Sequence, residues 1–262
     1  MPQNNAVQTR YYSGQGIVLV AELDSNNVPL GFRNIGNVPD LKLAIEVEVE
    51  EKKESSTGQR ATVLRLEKEK KASFSATLED LSKETLAMAL RGTAAAVTSG
   101  GVEDEAIVAR LGLTVPLEHP GVSNVVVTSS DGLTTYELDK NYTINAEAGS
   151  INILTDAAQT VAGAAANIAD ADALLVDYDH VAYDKIDALT SASKYYALRF
   201  EGLNTADSNK AVIVEIFRIS ADPLKELALI NDETAAMTLD GSIMADLTRT
   251  VGSQFFREKI VS

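Results

Sequence analysis

The 262-residue sequence contains no cysteine and no tryptophan, and only 5% of its residues are aromatic. The missing cysteines exclude a disulfide framework and thiolate chemistry. The scarcity of aromatic side chains argues against a carbohydrate site built on stacked rings. No apolar stretch approaches the roughly 20 residues that span a bilayer. Residues 1–5 lack the basic start and apolar run of a secretory signal, so we expect a protein made in a reducing cytoplasm.

Acidic side chains outnumber basic ones, and the formal net charge is −15. Such a surface is unsuited to gripping nucleic acid, because binding to phosphates requires Lys and Arg side chains that displace counterions. Two interpretations stay open: the charge serves solubility, or it forms a surface that faces DNA without holding it. With 45% hydrophobic residues, the chain is globular and long enough for one large β-rich domain or two small ones.

The most informative segment is residues 41–72, which we call the arm. Apolar residues take every odd position from Leu41 to Val49 and charged residues fill most even positions, which predicts a strand with one buried and one charged face. Residues 54–59, which we call the tip, read Glu-Ser-Ser-Thr-Gly-Gln and predict a turn. The arm is therefore predicted to be a long hairpin whose odd residues from Leu43 to Val49 pack against the body.

The alternation also predicts a register for this hairpin, with Glu48 opposite Arg65 on the charged face. The apolar pairs that this register implies are Val47 with Leu66 and Val49 with Leu64. The pattern weakens at Lys68 and Lys70, which predicts a β-bulge or an exposed segment there. Pattern alone leaves the role of the arm open: it fits an ordinary half-buried hairpin, and its charged face fits outer surface, subunit contact or channel wall.

The rest of the sequence predicts many short strands and little helix. A capping-box spacing at residues 77–80 and a helix-ending glycine at Gly92 predict one helix over residues 78–91. Residues 157–173 are Ala-rich and fit either a helix or a loop insertion. Regular strands between turn signals and few helices predict a mainly β (β-rich α+β) fold, either a sandwich or a barrel. We expect a single domain over residues 1–262.

No catalytic set emerges from the sequence. His119 and His180 occur in unlike contexts, and His119 fits a surface loop. Ser191 and Lys194 match S-x-x-K spacing but lack the K-T-G companion of enzymes that use it. Four aspartates within residues 170–179 fit a Ca²⁺ site or a solvated rim, and the absence of EF-hand spacing favours the rim. We therefore expect a non-enzyme with no catalytic, cofactor-binding or metal-binding residues and no cofactor.

The order of several segments resembles the major tail tube protein of siphophages, the bacteriophages with long non-contractile tails. The resemblance covers roughly residues 10–247 and rests on an ordered set of motifs. They are Gly31-Phe-Arg-Asn-Ile-Gly-Asn-Val-Pro39, the acidic strand into Glu54-Ser-Ser-Thr-Gly58, Phe74-Ser-Ala-Thr-Leu-Glu-Asp-Leu81, Leu86-Ala-Met-Ala-Leu-Arg-Gly92, Tyr136 with Tyr142-Thr-Ile, Gly149-Ser-Ile-Asn-Ile, Phe200-Glu-Gly-Leu-Asn204, Val212–Ile219 and Asp222-Pro223.

The resemblance implies a fold of two packed antiparallel sheets with a flanking helix and a long projecting hairpin. It further implies a structural virion protein that assembles into hexameric rings, which stack into a tail tube for genome delivery. It implies copies of itself as the main partner, with tape measure, tail terminator and tail tip proteins as further partners. The location it implies is the virion tail, assembled in the host bacterial cytoplasm, with DNA passing the lumen without specific binding and no membrane partner. The family's long hairpin maps onto the arm. The candidate lumen-facing residues are then Glu46, Glu48, Arg65, Glu67 and Glu69, and the candidate inter-ring residues of the tip are Glu54, Ser55, Ser56, Thr57, Gly58 and Gln59.

Two other classes of function stay open. A binding module, such as a β-sandwich adhesin or a virion decoration protein, predicts a monomer or closed trimer with an aromatic-lined recognition patch. An enzyme is disfavoured, because no nucleophile–base set is visible.

Overall fold

The computed structural model describes residues 11–232 and 234–261. Within them the protein is mainly β with several antiparallel sheets, which confirms the predicted fold class. In chain order the elements are β1 (Gly14–Glu22), β2 (Arg33–Asn34), β3 (Asp40–Lys53), β4 (Thr62–Leu78), α1 (Lys83–Ala89), β5 (Thr93–Val97), β6 (Gly100–Val108), β7 (Thr114–Pro116), β8 (Val122–Ser129), β9 (Thr135–Tyr136), β10 (Tyr142–Asn145), β11 (Ser150–Ile153), α2 (Asp156–Ala162), β12 (Ala173–His180), β13 (Tyr183–Asp187), β14 (Tyr195–Asn204), β15 (Lys210–Ala221), β16 (Met237–Ile243) and β17 (Phe256–Ile260).

The chain forms two compact units instead of the single domain expected over residues 1–262. Unit 1 contains the described residues up to 94 and from 186 onward, and unit 2 contains residues 95–185. Each unit has its own cluster of buried apolar side chains. A chain of this length can divide in this way because it supplies enough apolar residues for two small cores.

Unit 1 is built on an eight-stranded sheet. Seven strands follow the order β2-β1-β14-β15-β16-β4-β3, and β17 pairs with β15 on the edge that β15 shares with β16. Alternate residues of these strands point to the same side, so one face collects the apolar side chains. The largest contributors to this core are Val18, Val20, Phe74, Leu78, Leu198, Ile216, Ile219, Met237 and Leu239.

Helix α1 lies inside the predicted range 78–91 but begins later. Leu78 is the last residue of β4 and pairs with β16, so a strand occupies the positions expected for the first helical turn. Ser82 takes the N-cap position without a side-chain cap bond, and the capping box predicted at residues 77–80 is wrong. The alternation of Phe74, Ala76 and Leu78 continues the strand because these side chains are buried in the core.

The end of α1 also differs from the prediction. Arg91 takes the left-handed conformation, with φ 46°, that the sequence assigned to Gly92. The N–H of Gly92 donates to the carbonyl of Ala87 over 2.8 Å and closes the helix. Met88 and Ala89 are buried in the core of unit 1, so the helix covers one face of the sheet.

Unit 2 contains a four-stranded sheet, β6-β12-β8-β9, and a three-stranded sheet, β10-β11-β7. The strands within these two sheets pair in antiparallel fashion. Their buried side chains form the second core, whose most enclosed members are Val127, Ile151, Ile153, Ile168, Leu174 and Val176.

The Ala-rich residues 157–173 form part of a short helix followed by an irregular segment. Thr155 caps α2 by accepting a hydrogen bond from the N–H of Ala158 over 3.3 Å, and Gly163 ends it with φ 72°. The helix alternative is therefore right for residues 157–162 and the loop alternative for residues 163–172, and Ala173 already belongs to β12.

A buried amide network attaches α2 and the following loop to unit 2. Asn141 Nδ2 donates to Gln159 Oε1 and to the carbonyl of Ala166, both over 2.7 Å, and Asn141 Oδ1 accepts from the N–H of Glu137. Gln159 in turn exchanges hydrogen bonds with both backbone groups of Ile168. Because both amides are almost fully buried, each bond replaces one that water would otherwise make.

We expect Asn141→Ala to lower the free energy of unfolding of unit 2 by about 3 kcal/mol, since it leaves several buried polar groups without partners. Asn152→Ala is the matched control, because this half-exposed amide of β11 lies outside the network. Hydrogen exchange of peptides from residues 95–185, followed by mass spectrometry, measures both effects. Equal exchange rates in the two variants would contradict a structural role for the network.

Candidate interaction surface

The arm is present as a long hairpin of β3 and β4, which pair along the whole of β3. With its 14 residues, β3 is about 45 Å long. Among the described residues, β4 has β16 on its other side only from Ala72 to Leu78, and β3 is the last strand of the sheet. Residues 62–71 of β4 and all of β3 therefore present unpaired edges, which are templates for pairing with another chain.

Only the base of the arm packs against unit 1. Leu43 contacts the core, but Ile45 is 67% exposed and Val47 is 39% exposed. The prediction that odd residues from Leu43 to Val49 pack against the body is therefore wrong beyond Leu43. The reason is that β16 ends opposite Ala72, the cross-strand neighbour of Ile45, and beyond this point the sheet is two strands wide.

A β-bulge lies at Lys68, within the stretch where the sequence predicts one. Glu48 pairs with Glu69 and Val49 pairs with Glu67, so Lys68 has no cross-strand partner. The extra residue changes which face of the hairpin is occupied by each residue of β4 that lies between the bulge and the tip.

The register of the hairpin differs from the predicted one. Val47 lies opposite Lys70 and not opposite Leu66. A second irregularity, at Val63, lies nearer to the tip. The two other predicted pairs, Val49–Leu64 and Glu48–Arg65, are replaced by Val49–Glu67 and Glu48–Glu69.

The bulge places the five candidate lumen-facing residues on two faces, because directly opposite residues share a face. We call the face of the even-numbered residues of β3 the even face and the other the odd face. Glu46, Glu48 and Glu69 lie on the even face. Arg65 and Glu67 lie on the odd face, so the prediction that all five line one surface is wrong.

The arm carries balanced charge in a strongly acidic protein. Residues 40–54 have six acidic and three basic side chains, whereas residues 60–71 have five basic and two acidic ones. Ion pairs such as Lys68–Glu50, at 2.7 Å, and Lys71–Glu69, at 3.1 Å, are exposed and contribute little stability. The free edge of β3 is thus acidic and the free edge of β4 is basic.

Exposed and half-buried apolar side chains form two patches on opposite faces of the arm. The distal patch consists of Leu64 and Leu66, which are about half exposed and lie on the even face. The base patch lies on the odd face and encloses about 260 Å³. Its apolar lining consists of Ile45, Val47, Ala72, Phe255 and Phe256. The sequence prediction missed the two phenylalanines, although adjacent aromatics in a chain poor in them were a signal.

The carboxylate of Glu54 organises the tip. It accepts hydrogen bonds from the backbone N–H groups of Ser56 and Thr57, over 2.9 and 3.0 Å, and from both hydroxyl groups. These bonds, the one from the Thr57 hydroxyl foremost, lower the pKa of Glu54 from 4.5 to about 2. The remaining tip residues, 55–59, are exposed, so the tip is a preformed turn that displays its side chains.

We expect Glu54→Gln to speed tryptic cleavage after Arg60 by about two- to fivefold, because a neutral amide accepts weaker hydrogen bonds than a carboxylate. Glu51→Gln, which removes an exposed glutamate outside the tip, is the control. In the wild type, the stabilisation of the turn by the ionised Glu54 carboxylate is complete above about pH 4.5 and is lost as the pH falls through about 2. The reason is that the pKa of Glu54 is lower in the folded protein than in the unfolded chain. Mass-spectrometric time courses measure the cleavage, and equal rates in the two variants would contradict the role of Glu54.

His119 and His180, which lie in unlike sequence contexts, stack against each other in unit 2. The rings of His119 and His180 are nearly parallel, with centroids 3.9 Å apart. His119 Nδ1 lies 3.0 Å from the hydroxyl oxygen of Tyr183, and His180 Nδ1 donates to the carbonyl of Val181 over 3.0 Å. The pair is therefore packed among aromatic and backbone groups.

The S-x-x-K residues line a cavity of about 580 Å³ in unit 1 but are engaged by other groups. Ser191 Oγ donates to the carbonyl of Gly92 over 3.1 Å, and Lys194 Nζ pairs with the carboxylate of Glu22 at 2.9 Å. The hydrogen bond to Glu22 raises the pKa of Lys194 and keeps the amine protonated. A protonated lysine cannot act as the general base for this serine.

The four aspartates of residues 170–179 are held by separate local partners. Asp170 accepts a hydrogen bond from the N–H of Leu111, and Asp172 accepts one from the N–H of Ala169. Asp177 accepts from the N–H of Asp104, and Asp179 accepts from the side-chain amide of Asn124. Across residues 11–232 and 234–261, no group of three or more His, Asp or Glu side chains is placed to hold a metal ion. In the same part of the chain, no helix is long and apolar enough to cross a bilayer.

These features define a β-rich, two-unit protein whose distinguishing surface is an exposed hairpin arm. Residues 11–259 match the model of a family described as "Protein of unknown function UCP028589". Because the match spans nearly the whole chain, the protein belongs to this family. A comparison with curated proteins finds no match.

Proposed function

We propose that this protein is a structural subunit that assembles with copies of itself into stacked hexameric rings, which form a phage tail tube. The observation that carries the proposal is the arm, which has two free edges and two exposed apolar patches. Monomeric proteins normally shorten or cover such edges. An arm of this length without a partner indicates that its neighbours are other chains.

The charges of the two edges favour a head-to-tail arrangement of identical subunits. The acidic edge of β3 in one copy can add beside residues 62–71 of β4 in the next copy, where the charge is basic. Backbone hydrogen bonds supply the affinity in such strand addition, and side-chain pairs supply the register. Heterologous contacts of this kind close into a ring or continue into a filament.

The even face at the base of the arm suits the wall of a channel for DNA. Glu46, Glu48 and Glu69 lie there with Lys71 as the nearby cation. An acidic wall repels phosphates, so the genome can pass without the counterion release that drives binding. Arg65 and Glu67 have no place on this wall, because the bulge turns them to the odd face.

The tip is the part of the arm that we assign to contact with the next ring. It is exposed and held in a defined turn by Glu54, so little conformational entropy is lost when a neighbour binds it. In this proposal the tape measure protein occupies the lumen, and the terminator and tail tip proteins bind the two ends of the tube.

Sedimentation velocity of the purified protein over a concentration series tests the proposed self-assembly. We expect species that grow with concentration and include a hexamer. A single monomer or closed trimer at every concentration would contradict the proposal and favour the adhesin or decoration protein.

A further inference from the structure

We infer that the bulge at Lys68 makes the arm a two-sided connector, which binds one neighbouring copy through the base patch and a different copy through the distal patch. The inference rests on the proposed self-assembly. It adds that the two contacts use opposite faces of one hairpin and that a single unpaired residue determines this.

The first step is the position of the apolar residues relative to the bulge. In a hairpin without an extra residue, Lys68 would pair with Val49 and Leu66 with Glu51, and Leu66 would then extend the odd face of Ile45 and Val47. With Lys68 unpaired, Leu66 lies opposite Glu50 on the even face. The Lys68 ammonium group lies 2.7 Å from the Glu50 carboxylate in an exposed ion pair.

The second step concerns the number of neighbours. The base patch and the distal patch face opposite sides of a sheet that is only two strands wide, so a body resting on one face cannot cover both. The arm also has two free edges of opposite charge, one for the copy on each side. The partner is a second copy of this chain because each edge is complementary in charge to the other edge of the same hairpin.

Single cysteines can test the two contacts directly, since the natural chain contains none. We expect Ile45→Cys and Leu66→Cys to react with a maleimide at least tenfold more slowly in the assembled protein than in the monomer. The matched variants Ala44→Cys and Arg65→Cys lie on the opposite faces at the same levels and should keep their reactivity. Protection at positions 45 and 65 with free reaction at position 66 would mean one continuous odd-face contact and would overturn the inference.

The bulge has two effects: it determines which face the distal residues occupy, and it increases the local twist of the hairpin. Two variants that both remove the bulge separate these effects. Inserting one threonine between Glu48 and Val49 gives Lys68 a cross-strand partner and turns the distal half of the hairpin over. Deleting Lys68 also removes the bulge but leaves every other pair on its present face. We expect the insertion variant to stop at monomers or small oligomers in sedimentation velocity and the deletion variant to assemble.

The outcomes also separate this inference from the proposed function. Assembly of the insertion variant like the wild type overturns the two-sided connector while leaving self-assembly in place. Failure of both variants also overturns it, because twist rather than face would then be decisive. A wild type that stays monomeric contradicts the proposed function itself. Circular dichroism checks folding, and if the insertion variant is unfolded, the cysteine reactivities decide.

Discussion

Replacing residues 47–70 by Asn-Gly is expected to leave a folded monomer that no longer self-associates. The replacement joins Glu46 to its cross-strand partner Lys71 through a two-residue turn of the kind that hairpins favour. The deleted residues are mostly exposed, so the core of unit 1 is retained. Loss of the distal patch, of the free edge of β4 and of residues 47–53 of the free edge of β3 should weaken self-association by at least about 100-fold.

Sedimentation velocity and thermal unfolding of the shortened protein check this expectation together. The control is a variant in which residues 55–59 are replaced by Gly and Ser at the same length, which keeps both edges and both patches. We expect this control to form rings and to lose only contacts between rings. Assembly of the shortened protein at wild-type concentrations would show that the arm is not the interface.

Charge reversal along one edge of the arm is expected to prevent assembly, and mixing opposite reversals is expected to restore it. Changing Lys68, Lys70 and Lys71 to Glu makes both edges acidic, whereas changing Glu46, Glu48 and Glu50 to Lys makes both edges basic. Like charges directly opposite each other across paired strands are destabilising. Each variant alone should therefore stay monomeric, and an equimolar mixture should assemble with alternating subunits.

A protein carrying all six changes is the control for damage within the hairpin. It restores opposite charge on the two edges, and light scattering should show that it assembles alone. Assembly of either half-reversed variant by itself, or a folded mixture that stays monomeric, would contradict pairing between the acidic and basic edges.

The existence of the arm could be predicted from sequence because the odd apolar positions from Leu41 to Val49 carry a strong period of two. Its register could not, since residues 67–71 are all charged, carry both signs and offer no apolar anchor that distinguishes one pairing from the next. The unpaired Lys68 shifts the register by one position for the residues of β4 nearer to the tip. This shift puts Arg65 and Glu67 on the face opposite to the glutamates expected beside them.

Contacts between distant segments account for the other differences. The late start of α1 depends on β16 extending the pairing of β4 to Leu78, which the sequence near the helix does not record. The base patch depends on Phe255 and Phe256, which lie far along the chain from Ile45. The division into two units depends on separate cores that form only when non-consecutive strands meet.

Electron microscopy of the purified, negatively stained protein tests the central claim most directly. We expect six-fold rings or tubes of stacked rings for the wild type, with an axial channel. Isolated small particles at every concentration would contradict the account.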